Sequence, residues 1–355
     1  MKERLPRYND PDEFAFSLVG RIVPTAAADA VDAADLRFNR PHHQVQRYRA
    51  RTDVDFQRIE EWTDKATGLA CWQTRDAADT VSVFGRRADG SSRIADPADP
   101  MRILAWQPDL QCDADGNAIR YDYAEETFDG VDSGAPQEAH RVRGPHAPAQ
   151  RYLKRVRWGN TLPMAPEDEV DPVGQRWHFQ LVFDYGDHDP VAPAVAPDRP
   201  WAVRPDPFSR HASGFDLRTY RLCRRIFLFH DFDELGAQPT LVAAFELQHD
   251  LRPEGSHLTG IVRRGFRQDG AGGQQTKADP PLSFEYSHPR IADGFTPAPD
   301  ATLADLLSGL DGPRHRWLDL YGEGLPGIMI ETRDAWYFKR NEGGGRFAAD
   351  ELMVE

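Results

Sequence analysis

The sequence predicts a mainly β fold built of antiparallel hairpins added one to the next, as in a rolled β-shell. Three observations carry this. Apolar and polar side chains alternate with a period of two along much of the chain, Gly-, Asn- and Asp-bearing turns separate the alternating segments, and helical periodicity is confined to two short stretches.

In chain order, RIEEWTD (58–64) and LACWQTR (69–75) flank the turn DKATG, and TVSVFG (80–85) follows. IRYDYAEE (119–126) leaves the turn DADGN, where Gly116 and Asn117 tolerate the positive φ of a tight hairpin. YLKRVRWGN (152–160), WHFQLVFDYG (177–186), TYRLCRRIFLFHDF (219–232), TLVAAFELQHD (240–250), LTGIVRRGFRQ (258–268) and LSFEYS (282–287) complete the set. All are rich in the aromatic and β-branched residues that suit a pleated surface. Three hairpins share an aromatic–polar–aromatic rhythm closed by an Asp-Gly or Gly-Asn turn, the pattern expected of a sheet extended by similar hairpins. Helix is expected at TLADLLSGL (302–310) and in the Ala-rich AADAVDAADL (27–36), each little more than two turns. The Pro-, Ala- and Gly-rich stretches 128–149, 187–207, 267–281 and 288–300 read as linkers lying on the surface or against neighbouring strands.

Bulk properties exclude several function classes. The net charge is −14 and the arginines are interleaved with Asp and Glu, which disfavours a nucleic-acid partner. Cys71, Cys112 and Cys223 are odd in number and scattered, so they are read as reduced and buried rather than as a disulfide framework or zinc site. The N-terminus MKERLPRYNDPDEF lacks an apolar signal-peptide core, and no run approaches the ~18 apolar residues of a membrane helix.

Four candidate sites were weighed. RHRWLDLYGEGLPGIMIE (314–331) has the outline of a calcium loop starting at Asp319, but only Asp319 and Glu323 remain as carboxylates where a hard cation wants six to eight oxygens. It is read as a degenerate, non-functional loop in which Gly322, Gly324 and Gly327 permit a turn between the strands GIMIE and AWYFKRN. DYGDHD (184–189) and FHDFDEL (229–235) place His188 and His230 among carboxylates without a spacing that fixes two metal ligands on one element. Glu167-Asp168-Glu169 matches the E-x-E of ADP-ribosyl transfer, but no Ser-Thr-Ser accompanies it, and it sits in a Pro-bounded acidic loop. The aromatic stripe Trp62, Trp72, Trp106, Tyr121, Tyr123, Trp158, Trp177, Phe179 and Phe183 is read as a packing face, with sugar stacking as the alternative. No nucleophile elbow, Walker loop or dinucleotide fingerprint occurs, so no catalytic, cofactor or metal residue is assigned and the chain is read as no enzyme.

SSRIADPADPMRILAWQPDLQCDADGNAIRYDY, RYLKRVRWGN, HFQLVFDYGDHD, PWAVRPDPFSRHASGFDLRTYRLCRRIFLFHDFDELG, PLSFEYS and WLDLYGEGLPGIMIETRDAWYFKRN together resemble the SpvB-type N-terminal region. That region opens the B component of insecticidal toxin complexes (TcB, TcdB or TcaC type) and the Salmonella plasmid virulence protein. The resemblance runs from about Leu5 to the last residue. It implies a structural, virulence-associated role in a Rhs/YD-like β-shell that encloses a C-terminal toxic polypeptide. Its implied partners are a repeat-bearing C component and, through a downstream propeller, a pore-forming A component, with assembly in the bacterial cytoplasm and action outside the cell. It carries no catalytic residue to this chain, since the ADP-ribosyltransferase activity known in the family belongs to a separate C-terminal domain. The implied division is 1–310 as shell, N-terminally truncated relative to the family, and 311–355 as the start of an FG-GAP/VCBS-like propeller region. The family's Asp-Leu-Asp-Gly-type turn reads DLYGEG here, which removes one possible cation ligand. A carbohydrate-binding β module for surface attachment is the alternative function.

Overall fold

Alternation becomes extended, paired backbone in the computed structural model, which describes residues 8, 14–17, 20–25, 41–52, 57–142, 148–211, 213–268, 274–287, 294 and 314–354. The chain divides into two compact units, Met1–Glu285 and Tyr286–Glu355. The 310/311 boundary expected from sequence, and both expected helices, lie outside the described residues.

The strands of the first unit are β1 (Phe14–Phe16), β2 (Gly20–Pro24), β3 (His43–Ala50), β4 (Arg58–Asp64), β5 (Ala70–Arg75), β6 (Val81–Phe84), β7 (Arg93–Asp96), β8 (Asp99–Trp106), β9 (Pro108–Cys112), β10 (Ala118–Glu125), β11 (Arg151–Asn160), β12 (Trp177–Asp184), β13 (Phe208–Arg210), β14 (Leu217–Thr219), β15 (Arg225–His230), β16 (Thr240–Asp250), β17 (His257–Gln268), β18 (Gln274–Ala278) and β19 (Leu282–Ser283). A four-residue helix, α1 (Ala139–Val142), interrupts them. Fifteen of these strands make one sheet in the order β1-β2-β3-β4-β5-β6-β9-β10-β11-β12-β15-β16-β17-β18, with β19 beside β17. Nearly every neighbour in the sheet is also a neighbour in sequence, so short antiparallel connections suffice. The exceptions are two excursions: the ribbon β7-β8 between β6 and β9, and the pair β13-β14 between β12 and β15.

In the second unit, β20 (His315–Leu318), β21 (Gly327–Glu331), β22 (Trp336–Lys339) and β25 (Glu351–Val354) form a sheet in that order, beside the small pair β23 (Asn341–Gly343) and β24 (Arg346–Phe347). GIMIE and AWYFK thus pair as expected, and RHRWL adds a third strand that the sequence reading did not assign.

Two other expectations are corrected. QQTKA, read as linker, is the edge strand β18, because its backbone completes the ladder of β17 even though its polar side chains show no alternation. TYRLCRRIFLFHDF, read as one strand, contributes Thr219 to β14 and only Arg225–His230 to the main sheet. Between them Tyr220 and Arg221 turn inward and are buried.

Apolar side chains gather in clusters strung along the sheet. One joins Val81, Val83, Leu110, Cys112, Ala118, Met164 and Trp177, and another joins Val182, Phe227, Phe229, Leu241 and Ala244. A third places Ile22, Ile59 and Trp72 against Phe14, Phe16, Tyr48, Phe84 and Trp106. Gly159 shows how tightly strands pack. Its φ is +69°, and a Cβ there would sit 2.8 Å from the Phe179 ring. Gly159→Ala therefore meets both a left-handed backbone and a steric wall, and is expected to lower stability by about 1–3 kcal/mol. Thermal melting would show it, and an unchanged midpoint would refute the strain.

Candidate functional site

Among the described residues, the first unit carries a cleft of about 890 Å³. Lys154, Arg155, Val182, Phe229 and Leu241 from four strands line one part of it, and two loop segments, Ala192–Pro197 and Leu235–Pro239, line the rest. The first segment lies in the stretch 187–207, where four prolines between 190 and 200 remove backbone donors and disfavour β pairing. Val195 anchors it by packing on the Val182–Phe229 cluster.

A buried polar knot fixes the loop's root. Asp184, at the end of β12, is fully buried and accepts backbone N–H bonds from Gly186 (2.8 Å), Asp187 (3.0 Å) and His188 (3.2 Å), which winds the chain into a turn. Its other oxygen accepts from Arg225 Nε at 2.6 Å. Although burial opposes ionisation, the Arg225 guanidinium and these N–H donors hold its carboxyl below the ordinary 3.8. Lys154 Nζ donates to Phe183 O (2.8 Å), Asp187 Oδ2 (2.7 Å) and His188 Nε2 (2.9 Å). Because an ammonium only donates, His188 must be protonated on Nδ1, which donates to Ala194 O at 2.9 Å and ties the loop down. Burial and the neighbouring Lys154 cation push the His188 pKa below 6.5.

A second knot joins residues far apart in sequence. Arg221 and Glu126 are both fully buried, with Nε to Oε1 at 2.8 Å. Arg221 also donates to the carbonyls of Thr127 (2.9 Å), Asp129 (3.0 Å) and Trp201 (3.2 Å), and its guanidinium lies over the Trp201 ring. Tyr152 OH donates to Glu126 Oε2 at 2.5 Å, and burial followed by that carboxylate drives the Tyr152 pKa up. Tyr220 and Arg218 both donate to Glu138. This second knot stitches the β13-β14 excursion to the sheet.

The residues singled out from sequence are placed as follows. His188 and His230 are not brought together. Arg225 pairs with Asp184 at one end of the β12–β15 ladder and His230 pairs with Phe179 at the other, five residues and ~17 Å away. Glu167-Asp168-Glu169 is pinned through its backbone: Arg120 donates to the carbonyls of Asp168 (2.6 Å) and Glu169 (2.7 Å), and Asp168 caps the turn by accepting from Ala165 N. The aromatic stripe separates into buried rings such as Trp62, Trp72 and Trp177 and a half-buried group in which Trp158 stacks on Phe179 at 5.4 Å. Burial pushes the Cys112 and Cys223 thiols up to about 12; Cys71 and Cys112 are buried as expected, whereas Cys223 is only half-buried.

In the calcium-like loop, Asp319 accepts from Glu323 N (2.9 Å) and Gly324 N (2.7 Å), while Glu323 is paired with Arg340. Gly322 and Gly324 supply the positive φ of the turn. Gly327 instead allows close approach, since a Cβ there would meet Phe338 and the Lys339 carbonyl. With both carboxylates engaged, a calcium titration followed by calorimetry is expected to give no saturable heat in the micromolar range. Binding abolished by Asp319→Ala would overturn this. Among the described residues, no group of three or more His, Cys, Asp or Glu side chains is arranged to hold a metal, and no helix is long and apolar enough to cross a membrane.

Sequence reasoning missed the cleft and the partner pairs of both knots. The Pro-Ala rhythm of 190–197 was the one local signal, and it was legible as a linker rather than as a wall.

Comparison with known proteins places these features. Residues 1–232 match the family described as Salmonella virulence plasmid 65kDa B protein, SpvB. The mono(ADP-ribosyl)transferase SpvB of Salmonella typhimurium (strain 14028s / SGSC 2262) is 34% identical over 280 residues, covering 75% of this chain and 46% of the relative. Among solved structures, the N-terminal domain of effector protein SpvB from Salmonella typhimurium strain LT2 aligns with a TM-score of 0.63 and 30% identity, over 79% of this chain and 84% of that one. TcdB2–TccC3–Cdc42 aligns with a TM-score of 0.67 and 28% identity, over 98% of this chain and 17% of that one. The Photorhabdus luminescens Tc holotoxin pore gives 0.66 and 27%, over 98% of this chain and 16% of that one. The reading of the chain as no enzyme is corrected here, because relatives that match three quarters of it are enzymes by name. The chain spans about half the length of the curated relatives it matches.

Proposed function

The chain belongs to the SpvB family, and on that premise we propose that it acts as a wall-forming β module of a secreted, virulence-associated toxin assembly, helping to enclose a C-terminal toxic polypeptide. By kinship it is a toxin-related structural module. The observation that carries the finer reading is the likeness over 98% of the chain to TcdB2–TccC3, a crystallised toxin assembly. A fifteen-stranded antiparallel sheet suits a wall, because each added hairpin satisfies the backbone of the last. In this proposal the partners are a repeat-bearing C component of the TccC kind and, through a propeller-like region of which 311–355 is the beginning, a pore-forming A component. The assembled complex acts outside the producing cell.

Sheet edges supply the test. β1 and β18 end the strand order among the described residues, and unpaired edges invite association. Size-exclusion chromatography with light scattering is expected to show self-association of the chain alone and a monodisperse complex on co-expression with a TccC-type partner. A clean monomer indifferent to that partner would refute the wall reading.

The name of the curated relatives favours a second reading, in which the chain works within a mono(ADP-ribosyl)transferase. Incorporation of labelled ADP-ribose from NAD, compared between this chain and a full-length relative, tests it.

A further inference from the structure

We propose that the cleft between the 192–197 loop and the 235–239 turn is a binding site for an aliphatic carboxylate, with Arg155 holding the anionic head and Val195, Leu235 and Pro239 beside the chain, over a floor closed by Val182, Phe229 and Leu241. Nothing in this inference depends on the wall reading.

Size comes first. At about 890 Å³ the cleft falls within the roughly 300–1,000 Å³ of small-molecule sites, and its lining is dominated by Val, Leu, Phe, Ala and Pro side chains. Three of the loop residues that border it, Pro193, Pro197 and Pro239, have no N–H. They cannot run a ladder with an extended peptide, so recognition must come from apolar contact and a few fixed polar groups.

Charge narrows the class. In a chain with 57 acidic and 43 basic residues, the lining contains Lys154 and Arg155 and no Asp or Glu. Two consecutive strand residues normally face opposite ways. Here the ladder between β10 and β11 slips from Asp122↔Arg155 to Tyr123↔Leu153, leaving Lys154 as the extra residue of a bulge, so both cations border the cleft.

The two cations are not equivalent. Lys154 has its three donors on Phe183 O, Asp187 and His188, so it is committed to the knot. Arg155 shares Asp122 with two other guanidiniums, Arg87 at 2.6 Å and Arg157 at 3.0 Å, and stands farthest from it, at 3.5 Å. Arg157 also pairs with Asp171 at 2.6 Å and Arg87 lies 3.8 Å from Asp109, so Arg155 is the least closely paired of the three, and its side chain is 39% exposed. A carboxylate entering the cleft would give Arg155 a closer counter-charge than Asp122 does, while its alkyl chain would cover the exposed Leu235 and the half-buried Val195 and Pro239.

The test is calorimetric titration of the whole chain with dodecanoate, dodecanol and butyrate, each below its aggregation concentration. Dodecanoate is expected to bind saturably at one site. Dodecanol, which lacks the head charge, and butyrate, which lacks the chain, should each bind at least about tenfold more weakly, since a hydrogen bond to a charged group is worth a factor of this order and each buried methylene adds to affinity. Arg155→Gln is expected to weaken dodecanoate about tenfold or more and leave dodecanol unchanged, with Arg155→Lys partly restoring the loss. Ala196→Trp, which places an indole in the cleft, should weaken both. The proposal fails if dodecanoate does not bind saturably, if dodecanoate and dodecanol bind the unaltered protein equally, or if Ala196→Trp binds both undiminished while its circular dichroism and melting match the parent. The comparison of ligands on the unaltered protein decides the head-group claim even where a variant fails to fold.

Discussion

Replacing Glu126 with Ala is expected to destabilise the first unit by about 3–5 kcal/mol, because it strands a fully buried guanidinium in a site built around its counter-ion. Arg221 would keep its three carbonyl acceptors, but the charge itself would have no partner, and Tyr152 would lose the acceptor of its hydroxyl. The double variant Glu126→Leu/Arg221→Met should recover part of the loss by removing the uncompensated charge. Recovery stays incomplete because the carbonyls of Thr127, Asp129 and Trp201 then lose their donor. Urea unfolding of the single and double variants measures this, and a Glu126→Ala midpoint close to that of the parent would show that the knot does not hold the excursion to the sheet.

Asp184→Ala is expected to cost about 3 kcal/mol or more at neutral pH, since it removes both the ion pair with Arg225 and the cap on three N–H groups. Asp184→Asn, which keeps an acceptor for the turn, should cost less. The same knot predicts acid sensitivity in two stages. His188 has a folded pKa below its unfolded 6.5, so the unfolded chain binds the proton more readily and stability falls as pH drops below 6.5 toward the folded value. Asp184 has a folded pKa below 3.8, so its contribution is complete above 3.8 and is lost as pH falls through the folded value. The charged groups facing His188 are Lys154, Asp184 and Asp187, with Arg225 on its carbonyl. His230 and His249 are also shifted down by burial and add to the first stage with the same sign. His188→Gln should therefore flatten, without abolishing, the loss between pH 6.5 and 5. An unchanged slope would remove His188 from the account.

Most strands of the main sheet were legible in the sequence, because alternation is a property of consecutive residues and a half-buried strand writes it directly. RIEEWTD, LACWQTR and TLVAAFELQHD became β4, β5 and β16 nearly residue for residue. The failures had a common cause. QQTKA became the edge strand β18 through its backbone, which no side-chain pattern reports. Cys71 and Trp72, by contrast, are buried as the sequence reading had them, and both faces of β5 are covered. The site was barely legible. His188 was singled out for its carboxylate neighbours, yet its working partner is Lys154, 34 residues upstream. His230, grouped with it by composition, stands at the far end of the ladder because antiparallel pairing reverses direction.

The sequence by itself determined the secondary structure and its sense: two-residue alternation with Gly and Asp at the turns leaves little but antiparallel hairpins, and the short connections then order most of the sheet. Only the tertiary structure decided which charges are buried together, as with Glu126 and Arg221, 95 residues apart, and where a Pro-Ala segment comes to rest as the wall of a cleft. The reason is that hydrogen-bond periodicity is local and repeats with the backbone, whereas desolvating a charge is tolerable only where a specific distant partner arrives, and nothing in the neighbouring residues encodes that arrival.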